Sequence, residues 1–309
     1  MRIHHLNCGC MCPVGGRLWD GVSRGLTGRL ICHCLLVETD NSGLVLVDTG
    51  FGSRDVEDPY GRISPLFIHT NRIQLEHRYT ALEQVKSLGF SPRDVRHIVL
   101  THLDFDHAGG LEDFPDAVVH VLRAEVEEAE VRHGFIHRRR YSPGQWDEVR
   151  DWRFYDPTGE RWFGFSSVRD LQGLPPEILM IPLPGHTMGH AGIAIDTPEG
   201  WLLNAGDAYF YRHEMDADPS CTPGLAAYQR LMEENRPLRL QNQERLRDLA
   251  NDGRSDVKIF CSHDPIEFEA LQRLSTGWRP LQAEYAPPLR AHWAVLPWSL
   301  PAAALKAGR

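Results

Sequence analysis

Residues 101–110 read THLDFDHAGG. Four side chains that can ligate a metal, His102, Asp104, Asp106 and His107, fall within six residues of one another. Imidazole and carboxylate suit zinc, iron and manganese. The preceding run RHIVL (96–100) reads as a buried strand. A ligand-bearing loop at the carboxyl end of a strand is where α/β folds place their chemistry.

The pattern repeats outward from this loop. CHCLLVET (32–39) and LVLVDTG (44–50) read as strand, turn and strand. TALEQVKSLGF (80–90) carries Leu82, Val85 and Leu88 on one helical face, with Gly89 as its C-cap. AVVHVL (117–122) is a further strand, followed by a helix to about Arg132. EILMIPL, AGIAID (191–196), WLLNAGDA (201–208) and DVKIFCSHD (256–264) are strands, with helices over 224–234 and 238–251. Three of these runs end as the first does. His186 follows EILMIPL in the loop PGHTMGH, Asp207 closes WLLNAGDA, and His263 closes DVKIFCSHD. A lone histidine after a strand is usually structural. Four acid or histidine positions on four strand ends point to one metal centre. The nearby glycines Gly109, Gly110, Gly185, Gly189 and Gly206 let backbone pass close to it.

The remaining sequence bounds the answer. A chain of 309 residues, 42% hydrophobic and 24% charged, is an ordinary globular composition. A net charge of −9 argues against a nucleic-acid surface. The basic cluster Arg138, Arg139 and Arg140 reads as a solvated loop. No apolar run approaches the ~20 residues that span a bilayer, so no membrane association is expected. The N-terminus lacks an apolar leader core. Seven cysteines without repeated spacing suggest a reducing compartment, and a cytoplasmic location is expected. Cys8, Cys10 and Cys12, and the group Cys32-His33-Cys34, read as structural packing. Residues 133–173 are rich in Trp, Phe and Tyr and read as an insertion, either a wall over the site or a surface excursion. The Pro- and Trp-rich tail after about Gly277 has no assigned structure. The chain is expected to form a single domain over 1–309.

VDTG (47–50), THLDFDHAGG, PGHTMGH, AGDA (205–208) and SHD (262–264) together closely resemble the metallo-β-lactamase superfamily, in its order and over most of the chain. HLDFDHAGG, GHTMGH and GDA look most like its N-acyl-homoserine lactonase branch. The resemblance implies an αβ/βα four-layer sandwich with a dinuclear metal site at one edge. It assigns His102, Asp104 and His186 to one metal and Asp106, His107 and His263 to the other, with Asp207 bridging. Asp48 and His190 would stand beside the ligands rather than among them. Position 104 departs from the family, which has histidine there. With Asp104, three carboxylates and a bridging hydroxide balance two divalent ions to zero, making a weaker Lewis acid. Oxygen ligation tilts a site that is zinc in the family toward manganese or iron. Alternatively Asp104 falls short, leaving one weakly held metal.

The implied activity is metal-dependent hydrolysis of a carboxylic ester or lactone by a metal-bridging hydroxide, with Asp106 as proton shuttle. Lactonases use a tyrosine three positions after the bridging aspartate, where this chain has Phe210. Tyr209 and Tyr211 flank it, and Tyr209 is the favoured candidate. The alternatives are a thioester hydrolase of the glyoxalase II kind, a phosphoester hydrolase, or a non-catalytic metal-binding relative. The expected partner is a small molecule with an apolar part. The aromatic content of 133–173 leaves room for a homodimer.

Overall fold

The strands before and after the ligand loop join in one sheet. β1 (Arg2–Met11), β2 (Leu30–Glu38), β3 (Leu44–Val47), β4 (Ile73–Gln74), β5 (Val95–Val99), β6 (Val118–Leu122) and β7 (Trp152–Tyr155) lie in the order β4-β1-β2-β3-β5-β6-β7. The structure is a computed structural model that describes residues 1–253 and 255–274, leaving out the side chains of 166–169. The tail after Gly277 lies outside the described residues.

Asp40–Gly43 turn β2 back onto β3 as an antiparallel pair. β3, β5, β6 and β7 then run parallel. A parallel step needs a crossover. One is supplied by α1 (Ala81–Ser87) between β3 and β5, another by α2 (Arg123–Val131) and α3 (Gly134–Arg140) between β6 and β7. The second sheet holds β8 (Glu160–Trp162), β9 (Phe165–Asp170), β10 (Ile178–Pro182), β11 (Ala191–Thr197), β12 (Gly200–Asn204) and β13 (Val257–Phe260), in the order β13-β12-β11-β10-β9-β8. Its neighbours are antiparallel except β12 and β13, which α4 (Pro223–Met232) and α5 (Arg236–Asn251) connect. The helix α6 (Pro265–Leu274) follows β13.

Side chains alternate across each strand, and that alternation builds the layers. Leu35, Val37, Val45, Val47 and Val99 face the second sheet and meet Ile178, Met180, Ile193 and Ile195. Their neighbours Cys34, Leu36, Leu44, Leu46 and Ile98 face outward onto Ala81, Val85 and Ala129 of the helices. On the far side, Leu179, Ile181, Ala194 and Leu203 pack on Leu246 and Leu249 of α5. The result is helix, sheet, sheet, helix: an αβ/βα sandwich.

Residues 133–173 are not a separate excursion. They supply β7 to the edge of the first sheet and β8 and β9 to the edge of the second. Trp146 and Trp152 pack into the outer core of the first sheet, and Trp162 into that of the second. The aromatic density reflects two sheet edges that need covering.

Candidate metal centre

All the sequence-nominated ligands are buried and converge at one edge of the sandwich. β5 ends into Thr101–His107, β10 into Pro184–His190, β12 into Ala205–Ala208 and β13 into Cys261–Asp264. Each sheet therefore contributes.

The donors form two quartets that share Asp207. In one, His102 Nε2 lies 3.3 Å from Asp104 Oδ2 and 3.7 Å from Asp207 Oδ2. His186 Nε2 is 3.0 Å from Asp104 Oδ2 and 3.4 Å from Asp207 Oδ2. In the other, His107 Nε2 lies 4.0 Å from Asp106 Oδ2 and 3.4 Å from Asp207 Oδ1. His263 Nε2 is 3.7 Å from Asp106 Oδ2 and 3.2 Å from Asp207 Oδ2. Ligands 2.0–2.2 Å from a tetrahedral ion stand about 3.3–3.6 Å apart; the first set gathers as one group of four, and the second as two trios that share His263, namely Cys32-Asp106-His263 and His107-Asp207-His263. The nitrogens His102 Nε2 and His107 Nε2 and the oxygen Asp207 Oδ1 are buried without a hydrogen bond. Buried polar atoms are rarely left so, and a cation at the second quartet would satisfy two of these three.

Backbone and neighbouring side chains aim the donors. Asp48 accepts from Thr101 N (2.8 Å), Thr101 Oγ1 (2.8 Å) and His107 Nδ1 (2.9 Å). Holding the His107 proton on Nδ1 leaves the Nε2 lone pair for the centre. His263 Nδ1 donates to Ile31 O at 2.7 Å with the same effect. His190 is not a donor to the centre. Its Nδ1 donates to Leu183 O, and its Nε2 accepts from Asp207 N at 2.9 Å, fixing the turn that carries Asp207. Burial pushes its pKa down to about 3, so it works as a neutral ring. Gly206, at φ 55°, has no room for a side chain; a Cβ there would sit 2.5 Å from His190 Nε2.

The electrostatics show why so many acids can be buried together. Burial opposes charge on His107, yet the carboxylates of Asp207, Asp48 and Asp106 overcome it and hold its pKa well above normal. Burial likewise opposes charge on Asp104, and the Arg140 guanidinium overcomes it, holding that carboxyl well below the usual range. Arg140 Nε donates to Asp104 Oδ1 and Nη2 to Oδ2, both at 2.6 Å. Arg140 is fully buried at the end of α3, so the sequence expectation of a solvated Arg138–Arg140 cluster fails at this residue. The charge count that treated Asp104 as an uncompensated carboxylate fails with it.

Three other groups escaped the sequence reading. Cys32, expected to be packing alone, brings its thiol within ligand range of Asp106 and His263. Glu125 accepts from Leu103 N at 2.8 Å and from Thr187 Oγ1 at 2.5 Å, tying the loops after β5 and β10 together. Tyr228 lines the pocket above the centre with Met11, Leu30, Phe105, Phe210 and Met232. Its spacing from Met232, four residues on the same helix, was the available signal. Tyr209 points elsewhere: it is fully buried in the outer core and donates to Glu267 Oε1 at 2.9 Å. Tyr211 packs over Gly21 and beside Arg212, and Phe210 is the member of DAYFY that reaches the pocket.

The sandwich, with an acid and histidine centre at its edge, defines a metallo-hydrolase scaffold. A profile of the metallo-beta-lactamase superfamily matches residues 27–251, and the chain belongs to that superfamily. It is 42% identical over 265 residues to the probable metallo-hydrolase Rv2300c of Mycobacterium tuberculosis, covering 86% of this chain and 81% of that protein. It is 27% identical to the N-acyl homoserine lactonase AttM of Rhizobium johnstonii, over 76% of this chain and 82% of the relative. A solved N-acyl homoserine lactone hydrolase, with N-hexanoyl-L-homoserine bound at its catalytic metal centre, superposes with a TM-score of 0.64 at 22% identity. That match covers 87% of this chain and 95% of the other.

Proposed function

We propose that this metal-dependent hydrolase cleaves a carboxylic ester or lactone whose apolar part sits against Met11, Leu30, Phe105, Phe210 and Met232. The observation that carries the reading is the acid and histidine set at the floor of this pocket. Asp104, Asp106, His186, Asp207 and His263 line it, and His107 Nε2 and Asp207 Oδ1 are left without a hydrogen bond.

A bound divalent cation, for which zinc, manganese and iron are candidates, would lower the pKa of water and polarise a carbonyl oxygen there. The chain's residues do the rest. Asp106 Oδ2 faces His107 and His263, which leaves Oδ1 to take a proton from water and pass it to the leaving alkoxide. Tyr228 accepts from Asn71 Nδ2 at 3.1 Å, so its own O–H is free to donate to a carbonyl oxygen in the pocket. Burial pushes that phenol well up, keeping the proton on. Apolar walls exclude water from the developing charge.

The test is acid release from acyl-homoserine lactones and short aryl esters, with thioester and phosphoester substrates alongside. The protein would be reconstituted with zinc, manganese or iron and compared with Asp106→Asn. Lactone or ester turnover that falls at least a hundredfold in the variant supports the reading. Turnover confined to thioesters or phosphoesters moves the substrate class, and none with any metal removes the assignment.

A further inference from the structure

Arg140 reaches the centre from a helix that carries none of the expected ligands. Its Nη2 lies 2.6 Å from Asp104 Oδ2 and 2.7 Å from His186 Nε2, and its Nη1 donates to Met232 O at 2.7 Å. Glu234 stands 3.8 Å from Nη1. A guanidinium has only donors and does not lose its charge. The His186 Nε2 atom that a metal would need stands 2.7 Å from this cation and 3.0 Å from Asp104 Oδ2, so either tautomer of the ring engages it within the protein. Each Asp104 oxygen faces a guanidinium N–H, and the lone pair it keeps would meet a metal only beside that cation. Of the first quartet, His102 Nε2 and the shared Asp207 Oδ1 are left without a hydrogen bond. No such cation touches the second quartet among the described residues.

We infer that the centre takes one divalent cation, held by Asp106, His107, Asp207 and His263, and that Arg140 is a built-in second cation standing against Asp104 Oδ2 and His186 Nε2 in place of another ion. Arg140 is a positioning residue: it has no exposed surface and acts through Asp104 and His186. The inference rests on the proposed metal-dependent reading only in taking the second quartet as a metal site.

Metal counting tests it without activity. Chelator-stripped protein is titrated with Zn²⁺ by calorimetry, and the desalted product is analysed for bound zinc. Wild type is expected to hold one equivalent, Asp106→Asn to bind at least tenfold more weakly, and D104H/R140M to hold two. Two wild-type equivalents within tenfold in affinity would overturn the inference, leaving the hydrolase reading in place. So would one tight equivalent kept by Asp106→Asn, or a folded D104H/R140M that still takes only one. Wild type that binds no zinc would overturn both, and the wild-type count decides even if the double variant does not fold.

Discussion

Asp48→Asn isolates the aiming of a ligand from the ligand itself. Asp48 receives three hydrogen bonds, two from Thr101 and one from His107 Nδ1. Asparagine keeps one carbonyl oxygen for the Thr101 amide and presents an NH₂ where Oδ2 stood. The His107 Nδ1–H then faces another donor. The ring relieves the clash by moving its proton to Nε2, the atom 3.4 Å from Asp207 Oδ1, and a protonated nitrogen cannot ligate. The backbone does not confound the change: Asp48 sits at φ 55°, a region asparagine tolerates better than most residues. Losing such a support typically weakens metal binding 10–100-fold, about 1.4–2.8 kcal/mol. Competition with a chromophoric chelator for Zn²⁺ reads this directly, with circular dichroism and thermal melting of the metal-free protein as controls for folding. A folded Asp48→Asn that binds zinc within twofold of wild type would refute the claim that this carboxylate sets the His107 tautomer.

Other outcomes follow from the same geometry. Tyr228→Phe should lower kcat at least tenfold on any ester or lactone the protein turns over, whereas Tyr209→Phe should leave kcat alone and cost about 1–2 kcal/mol of stability by removing the donor to buried Glu267; the reverse pattern would return the catalytic phenol to Tyr209. Burial lowers the pKa of His120, beside His97 and Tyr155, to about 3. The unfolded chain takes that proton near pH 6.5, so the contribution is whole above 6.5 and is lost as the pH falls toward 3, by about 2 kcal/mol at pH 5. Urea unfolding at pH 7.5 and pH 5 should show a smaller acid loss for His120→Gln, and equal losses would count against it. Gly189→Ala would place a Cβ 2.1 Å from Glu125 N. It should cost about 1–3 kcal/mol and weaken metal binding, because the loop carrying His186 must move; a melting temperature and zinc affinity equal to wild type would show that the loop yields freely.

The parts legible in advance were those whose cause is local. Hairpins, crossover helices and strand ends follow from apolar runs broken by glycine, and the ligand loops from residue type at those ends. β1 was not legible as a strand, because it is buried on both faces with polar residues inside. His5 pairs with His33 at 2.8 Å and Asn7 N donates to Gln84 Oε1, so alternation of apolar and polar residues was absent. Arg140 was hidden for a different reason. Its partner is 36 positions away, and a run of three arginines looks solvated until one of them is seen to be buried against a carboxylate. The cue was Asp104 itself: an acid where a neutral ring is expected calls for a countercharge. Tyr209 shows the opposite failure. Proximity in sequence to Asp207 put it on the candidate list, but the turn after β12 rotates it into the outer core and delivers Phe210 to the pocket.

The second quartet draws Asp106 and His107 from the loop after β5, and Asp207 and His263 from the ends of β12 and β13. During synthesis the last of these emerges long after the first, when both sheets are already written into the chain. No half of the protein can close the set, so in the proposed reading acquiring the ion would be an event of the finished tertiary structure rather than a nucleus for it. Uptake of metal would then report correct assembly, because only a chain with its two sheets in register brings these four residues together.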